Sequence, residues 1–475
     1  MQQTPEITPS ISSATLAASK TLEADMVRLF REQWEDPELP AMEYRSSARL
    51  SDWLACNGFD VEKQAGGIPT AFVARAGTGG GPVLAILAEY DALPGLDNDA
   101  TASRRTRGKA AGHACGHNHI GPANAGAAIA AAQACRSLGI AAEIRVIGCP
   151  AEEILWGKIA LYKAGVFSGI DAILTSHGDY QTGALSRPCQ AVVSGEFVFM
   201  GESGHGGQTG HRNVLLVAEE MVAEASGLLQ RDHPDVLLRH VLRRAGIMPS
   251  ITPSETRVWF SVRSLDQGKA QRGYADILAR SRAVASRSGV AFRHQFISES
   301  RGYLPNDVLG RALYQAMLHV GPPQWSEADI AFMADLSRAC AGETPMQLDR
   351  GIRYFDEGAD AYGQDDGEVS WRIPLGRVNW AYPEQVPIHH WGWTSLSGHP
   401  ASHAGPLAAS QALALAAVTL AASPAVIDAA RKELRERVAG ADLTEPRVGA
   451  MATLVKNPES FWDASWVEES EEAQG

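Results

Sequence analysis

"GPVLAILAEYDAL", residues 81–93, is an apolar run that closes on two acids, Glu89 and Asp91. It lacks the in-and-out alternation of a half-exposed strand, so it reads as a strand covered on both faces, the kind a parallel sheet uses. Its surroundings repeat the theme. "AEIRVIGCP" (142–150) and "DAILTSHGD" (171–179) are two more such strands. Between them fall the Ala-rich helical stretch "PANAGAAIAAAQACRSLG", from Pro122 to Gly139, and the helix "GKIALYKAGVF" (157–167). Strand–helix alternation of this kind predicts an α/β fold: a mostly parallel sheet with helices on both faces.

Near residue 190 the pattern changes. "QAVVSGEFVFMG" and "ETRVWFSVRSL" alternate as antiparallel strands do, and two helical segments and the strand "AFRHQF" accompany them. Residues 191–298 therefore read as an inserted α+β two-layer domain. Residues 21–190 and 299–475 form one discontinuous catalytic domain around it, and 475 residues suffice for two cores. The polar, Ser/Thr-rich residues 1–20 read as a disordered leader without the apolar core of a signal peptide. The last ~35 residues read as a charged surface appendage.

Composition narrows the function. A net charge of -13 argues against nucleic acid or an anionic membrane as partner and leaves small molecules. No apolar run reaches the ~20 residues of a membrane span. The six cysteines show neither disulfide-scaffold spacing nor a CxxC pair, which suits a reducing cytoplasm.

The chemistry gathers at the strand ends. In open α/β sheets the ligand crevice lies beyond the carboxyl ends of the strands, so Glu89, Asp91, Glu152, Glu153 and His177 should converge there. "GHACGHNHIG" (112–121) enters the Ala-rich helix at the same place, with Cys115 and His117 two residues apart. Thiolate, imidazole and carboxylate suit zinc, and a carboxylate-rich setting also suits manganese. Alone, "CGH" reads first as a tight turn around a buried thiol and only second as a metal site, and Glu152–Glu153 reads as a solvated helix start. Four late histidines, His389, His390, His399 and His403, offer a further ligand, and periodicity cannot choose among them. His205 and His211 stand in a glycine-rich loop of the insert.

Taken together, "AEYDALPGL", "GHACGHNHIG", "GCPAEE", "LYKAGVFSGIDAILTSH", "YLPN", "DDGEVSWRIPL" and "SHAGP" fall in an order that resembles the binuclear-metal amidohydrolases and peptidases, the family of aminoacylases and glutamate carboxypeptidases. The likeness spans residues 25–425 and implies a zinc-peptidase-like catalytic domain with a lid and dimerisation insert. It implies Cys115, His117, Glu153, His177 and His403 as ligands of two divalent ions, with manganese first and zinc or cobalt also fitting. Glu152 is the implied general acid/base and Asp91 the carboxylate that orients a ligand. His205 is implied as an oxyanion-stabilising residue reaching a partner subunit, and Asn213 and Arg263 as substrate holders. The implied reaction is hydrolysis of an N-acyl or N-aroyl amino acid in a cytoplasmic homodimer or larger assembly. Hydrolytic deamination of an activated aromatic amine, or a catalytically silent metal-binding subunit, are the alternatives. Where relatives carry glycine-rich residues after the Glu pair, this chain has "ILWGK", so Leu155 and Trp156 are expected to reshape the pocket.

Overall fold

The computed structural model describes residues 5–207 and 212–462. The first four residues of the expected leader, His211, and residues 463–475 of the expected appendage lie outside them. The strands that build the two sheets are β1 (Asp60–Lys63), β2 (Phe72–Gly77), β3 (Val83–Glu89), β4 (Glu143–Cys149), β5 (Ala172–Asp179), β6 (Gly183–Leu185), β7 (Ala191–Met200), β8 (Leu237–Arg244), β9 (Glu255–Ser264), β10 (Ala291–Ser300), β11 (Arg353–Phe355) and β12 (Leu375–Ala381).

The larger sheet has eight strands in the order β1-β2-β4-β3-β5-β12-β6-β11. Its central four, β4, β3, β5 and β12, run parallel, while β1, β2 and β6 pair antiparallel toward the edges. From β3 the chain crosses to β4 on one side, then returns past β3 to β5 on the other. That reversal opens a crevice at the carboxyl ends of β3, β4 and β5.

Helix His117–Leu138 lies against this sheet and is buried along most of its length. Its outer side is covered by helices Pro9–Glu35 and Ala404–Ala421. Alanine and glycine permit three helices and a sheet to close on one another: a Cβ at Gly121 would stand 2.7 Å from the carbonyl oxygen of Glu89. The helical run Pro400–Ala421 is apolar enough to cross a membrane by composition, but here 78% of its most apolar window is buried inside the protein.

Two expectations change. The stretch taken for a leader is helical from Pro9, capped by the Thr8 side chain. Its inward face includes Thr15 and Ser19, whose hydroxyls donate back to the carbonyls of Ile11 and Thr15 at 2.7 and 3.0 Å. Small hydroxyls satisfied in this way pack as core residues, which is why a Ser/Thr-rich composition is a poor guide to this segment. The C-terminal residues are no loose appendage either. Gly449 donates its N–H to Ile297 of β10, Phe461 is buried against Trp259 of β9, and the Trp462 indole donates to the Pro40 carbonyl. The described end of the chain thus spans both domains.

Between Ala191 and Ser300 lies a four-stranded antiparallel sheet, order β8-β9-β7-β10. Helices Val214–Asp232 and Gln267–Ser288 pack on it, and Phe197, Phe199, Phe260, Met221 and Ile277 form the core between the two layers. β8 is an edge strand.

Gly121→Ala tests the close approach. The added methyl meets backbone that carries Glu89, so a loss of ~1–3 kcal/mol is expected in chemical denaturation. Ala128→Gly in the same helix should cost ~1–2 kcal/mol, from helix propensity together with the loss of a buried methyl.

Candidate metal centre

The crevice collects its side chains from three strand ends and two loops. β3 delivers Glu89 and, two residues on, Asp91, both buried. Asp91 then makes the connection that organises the rest. Its Oδ1 accepts from His117 Nδ1 at 2.8 Å, and its Oδ2 accepts from the backbone N–H of Glu153 at 2.9 Å. Because the carboxylate only accepts, His117 carries its proton on Nδ1 and turns a bare Nε2 into the crevice. His177, near the end of β5, does the same by donating Nδ1–H to the Gly178 carbonyl at 2.6 Å. Its Nε2 lies 3.5 Å from Cys115 Sγ.

Backbone geometry sets the other donors. Gly116, φ 86, turns the chain between Cys115 and the first residue of the helix, His117. Ala151 and Leu155, both left-handed at φ 55 and 53, bracket the tight turn that carries Glu152 and Glu153. Such strained non-glycine residues persist where surrounding structure holds them, and here the Ala151 N–H is held by the buried Glu43 carboxylate at 2.8 Å.

Three groups of ligand atoms result, each within 4.8 Å: Cys115–His117–His177, Cys115–Glu153–His389 and Glu89–His117–Glu152. Glu89, Glu152 and Glu153 each bring an oxygen to 3.7–3.9 Å from His117 Nε2. His117 Nε2, Glu89 Oε2 and Glu153 Oε1 are buried without a hydrogen-bond partner. Orphaned acceptors crowded together need a cation between them, and the mixed thiol, imidazole and carboxylate set fits divalent metal.

Against the cost of burial, the charges of Cys115 and Asp91 raise His117 well above the usual histidine range, so a bound cation would have to displace the proton on its Nε2. The neighbouring groups favour a cation. Burial lowers His177 to about 4, leaving a neutral imidazole able to ligate. Burial, aided by the Glu89 charge, pushes the Glu152 carboxyl well above the usual range. Burial, with Glu153 and Glu152 nearby, raises the Cys115 thiol, a shift that a bound cation would reverse.

The expected residues do not all meet there. Cys115, His117, Glu152, Glu153 and His177 come together with Asp91 behind them. His403 does not join them. It precedes helix Ala404–Ala421, with its ring 5.6 Å from Phe30 and 6.2 Å from the ring of His119. In its place stands His389, whose Nε2 lies 3.4 Å from Glu153 Oε2. The His389 backbone N–H is tied to the Ala114 carbonyl at 2.9 Å, so its loop is pinned to the Cys115 loop. Asn213 caps helix Val214–Asp232 by accepting from the Leu215 N–H. His205 is exposed on the insert and outside all three groups. Arg263, half-buried on β9, is close enough to Glu152 for the two charges to interact. Trp156 leaves the pocket and donates its indole N–H to the Gly449 carbonyl at 2.8 Å. Lys158, completely buried, escaped the sequence reading because lysine is normally a surface residue.

No protein-family profile matches the chain. It is 28% identical over 419 residues to a subunit of the p-aminobenzoyl-glutamate hydrolase of Escherichia coli (strain K12), covering 82% of this chain and 87% of that one. Among solved structures, a dinuclear metal-binding peptidase of family M20 from Bacillus subtilis superposes with a TM-score of 0.56 at 19% identity, covering 85% of this chain and 99% of the other. The fold is that of the family M20 peptidases. The aminobenzoyl-glutamate utilization protein of Klebsiella pneumoniae shares it, with a TM-score of 0.54 at 14% identity over 85% of this chain and 96% of that one. With this M20 fold, the sequence likeness and the cluster of ligand atoms, the chain is a metal-dependent hydrolase of the amidohydrolase type.

The two late histidines can be told apart by metal titration calorimetry. His389→Ala is expected to weaken binding of one ion at least tenfold, and His403→Ala to leave both affinities within about twofold.

Proposed function

We propose that the protein hydrolyses the amide bond of an N-acyl or N-aroyl amino acid, with p-aminobenzoyl-glutamate as the first candidate, at a site for two divalent ions. The observation that carries this is the buried acid Glu152 set beside a cluster of ligand atoms that lack partners. Cys115, His117, Glu153 and His177, with His389 as the fifth, would hold the ions, and manganese, zinc and cobalt all fit those donors. Such ions polarise a carbonyl and acidify a water.

The remaining steps belong to the protein. Asp91 keeps the His117 proton on Nδ1 and fixes the Glu153 backbone, so the ligand shell is set before substrate arrives. Glu152, ionised once cations balance the pocket, accepts the proton of the attacking water. It then returns that proton to the amide nitrogen as the C–N bond breaks, and acid and amine leave. Arg263, close enough to Glu152 for their charges to interact, would take the free carboxylate of an amino-acid substrate.

His205 is read as acting across a dimer. It pairs with Ile251 in a two-stranded ribbon beside exposed Ile247 and Met248, and β8 exposes Leu237, Val241 and Leu242 along an unpaired edge. An apolar edge strand of that kind is the part of the lid suited to a second copy of the chain. All six cysteines are free, in keeping with a cytoplasmic setting.

Turnover of the manganese-loaded protein on p-aminobenzoyl-glutamate is the test, following p-aminobenzoate, glutamate and ammonia together. Release of p-aminobenzoate and glutamate in equal amounts is expected, with kcat reduced ~10²–10⁴-fold in Glu152→Gln. Ammonia in place of amino acid would replace this reading with deamination, and metal binding without any turnover would leave a silent subunit. For the shared site, mixing inactive His205→Ala and Glu152→Ala chains should restore a fraction of wild-type activity. Absence of any restored activity would place His205 outside catalysis in trans.

A further inference from the structure

Behind His117 lies a second layer of charge that the five-ligand reading leaves unused. Lys158, fully buried, follows the Glu152–Glu153 turn as the second residue of the short helix Gly157–Lys163. Its ammonium contacts Glu89 Oε1 at 2.7 Å and also the Asp365 carboxylate. Asp365 is held to the same segment by the Lys158 backbone N–H at 2.8 Å. Gln364 donates its side-chain amide to Glu89 Oε1 at 3.0 Å.

One oxygen of Glu89 is therefore occupied twice, while the other has no partner at all. That free Oε2 lies 3.7 Å from His117 Nε2, itself bare and buried. The charges do not balance either: one lysine faces two carboxylates, Glu89 and Asp365, in a space closed to solvent. A buried carboxylate left without a cation is costly. Lys158 is shared between the two acids and engages only one oxygen of Glu89, and the oxygen left without a partner is the one that faces His117.

We propose that Glu89 is an additional metal-facing carboxylate: Lys158 and Gln364 clamp its Oε1 so that Oε2 is presented, with His117 Nε2, to a divalent cation of borderline or hard character. This rests on the dinuclear reading above and adds a ligand to it. Lys158 then serves as a positioning residue, tying the carboxylate that ends β3 to the turn that carries the acid/base.

Metal binding, rather than turnover, tests this. Wild type, Glu89→Gln and Glu89→Asp would be stripped with a chelator, reloaded with manganese or zinc, and assayed for ions per chain by plasma mass spectrometry and for affinity by competition with a chelating dye. Wild type should hold two ions. Glu89→Gln should lose affinity for one of them by ~10–100-fold and keep the other. Glu89→Asp retains the charge opposite Lys158 and with it the fold, checked by circular dichroism, but withdraws the carboxylate by one methylene, and it should show a smaller loss at the same ion. Two ions bound by both variants with affinities within about twofold of wild type would overturn the proposal while leaving the dinuclear reading intact. No ion bound by wild type would overturn both.

Discussion

The two carboxylate oxygens of Asp91 reach two separate segments of chain, the ring of His117 and the backbone of Glu153, and the geometry of the site depends on that span. One bond chooses the tautomer of His117, and the other anchors a turn bracketed by two strained residues. Asp91 can do both because it follows the central strand β3 directly, between β4, which leads into the Glu turn, and β5, which carries His177. A carboxylate there is buried, and burial confines it to the partners that satisfy it. The catalytic constellation is thus an outgrowth of a topological reversal in the sheet, with hydrogen bonds rather than loop flexibility setting its precision.

Close packing beneath the site serves the same end. Helix His117–Leu138 begins with a residue of the cluster and must meet the strand ends at short range, which its small residues allow. On its far side the helix that starts at Pro9 seals the domain with Leu22, Met26 and Phe30. The C-terminal segment locks onto both β10 and Trp156, so the lid, the Glu152–Glu153 turn and the chain end form one connected body. Trp156, which looked from its position to be a pocket residue, is a structural anchor whose polar atom needed a buried acceptor.

Much of the site is legible along the chain because its donors sit at places with local signatures. Glu89 and Asp91 close an apolar run, Glu152 and Glu153 follow another, and Cys115 and His117 flank a glycine just before an alanine-rich helix. The lid is legible too, through a change from continuous to alternating apolar pattern. What failed had no such signature. Thr15 and Ser19 looked solvated and are core, and nothing along the chain marked Lys158, which is buried between two acids.

By itself, then, the sequence determined the class of sheet, the presence of a two-layer insert, and the strand ends at which metal-binding chemistry collects, since each is written in residue type and short-range spacing. Only the tertiary structure decided between His389 and His403, released Trp156 from the pocket, and set Lys158 against Glu89. Those outcomes join residues tens to hundreds of positions apart, and the path of the chain between them is governed by packing and by the pairing of buried charges, for which the linear order carries no period to read.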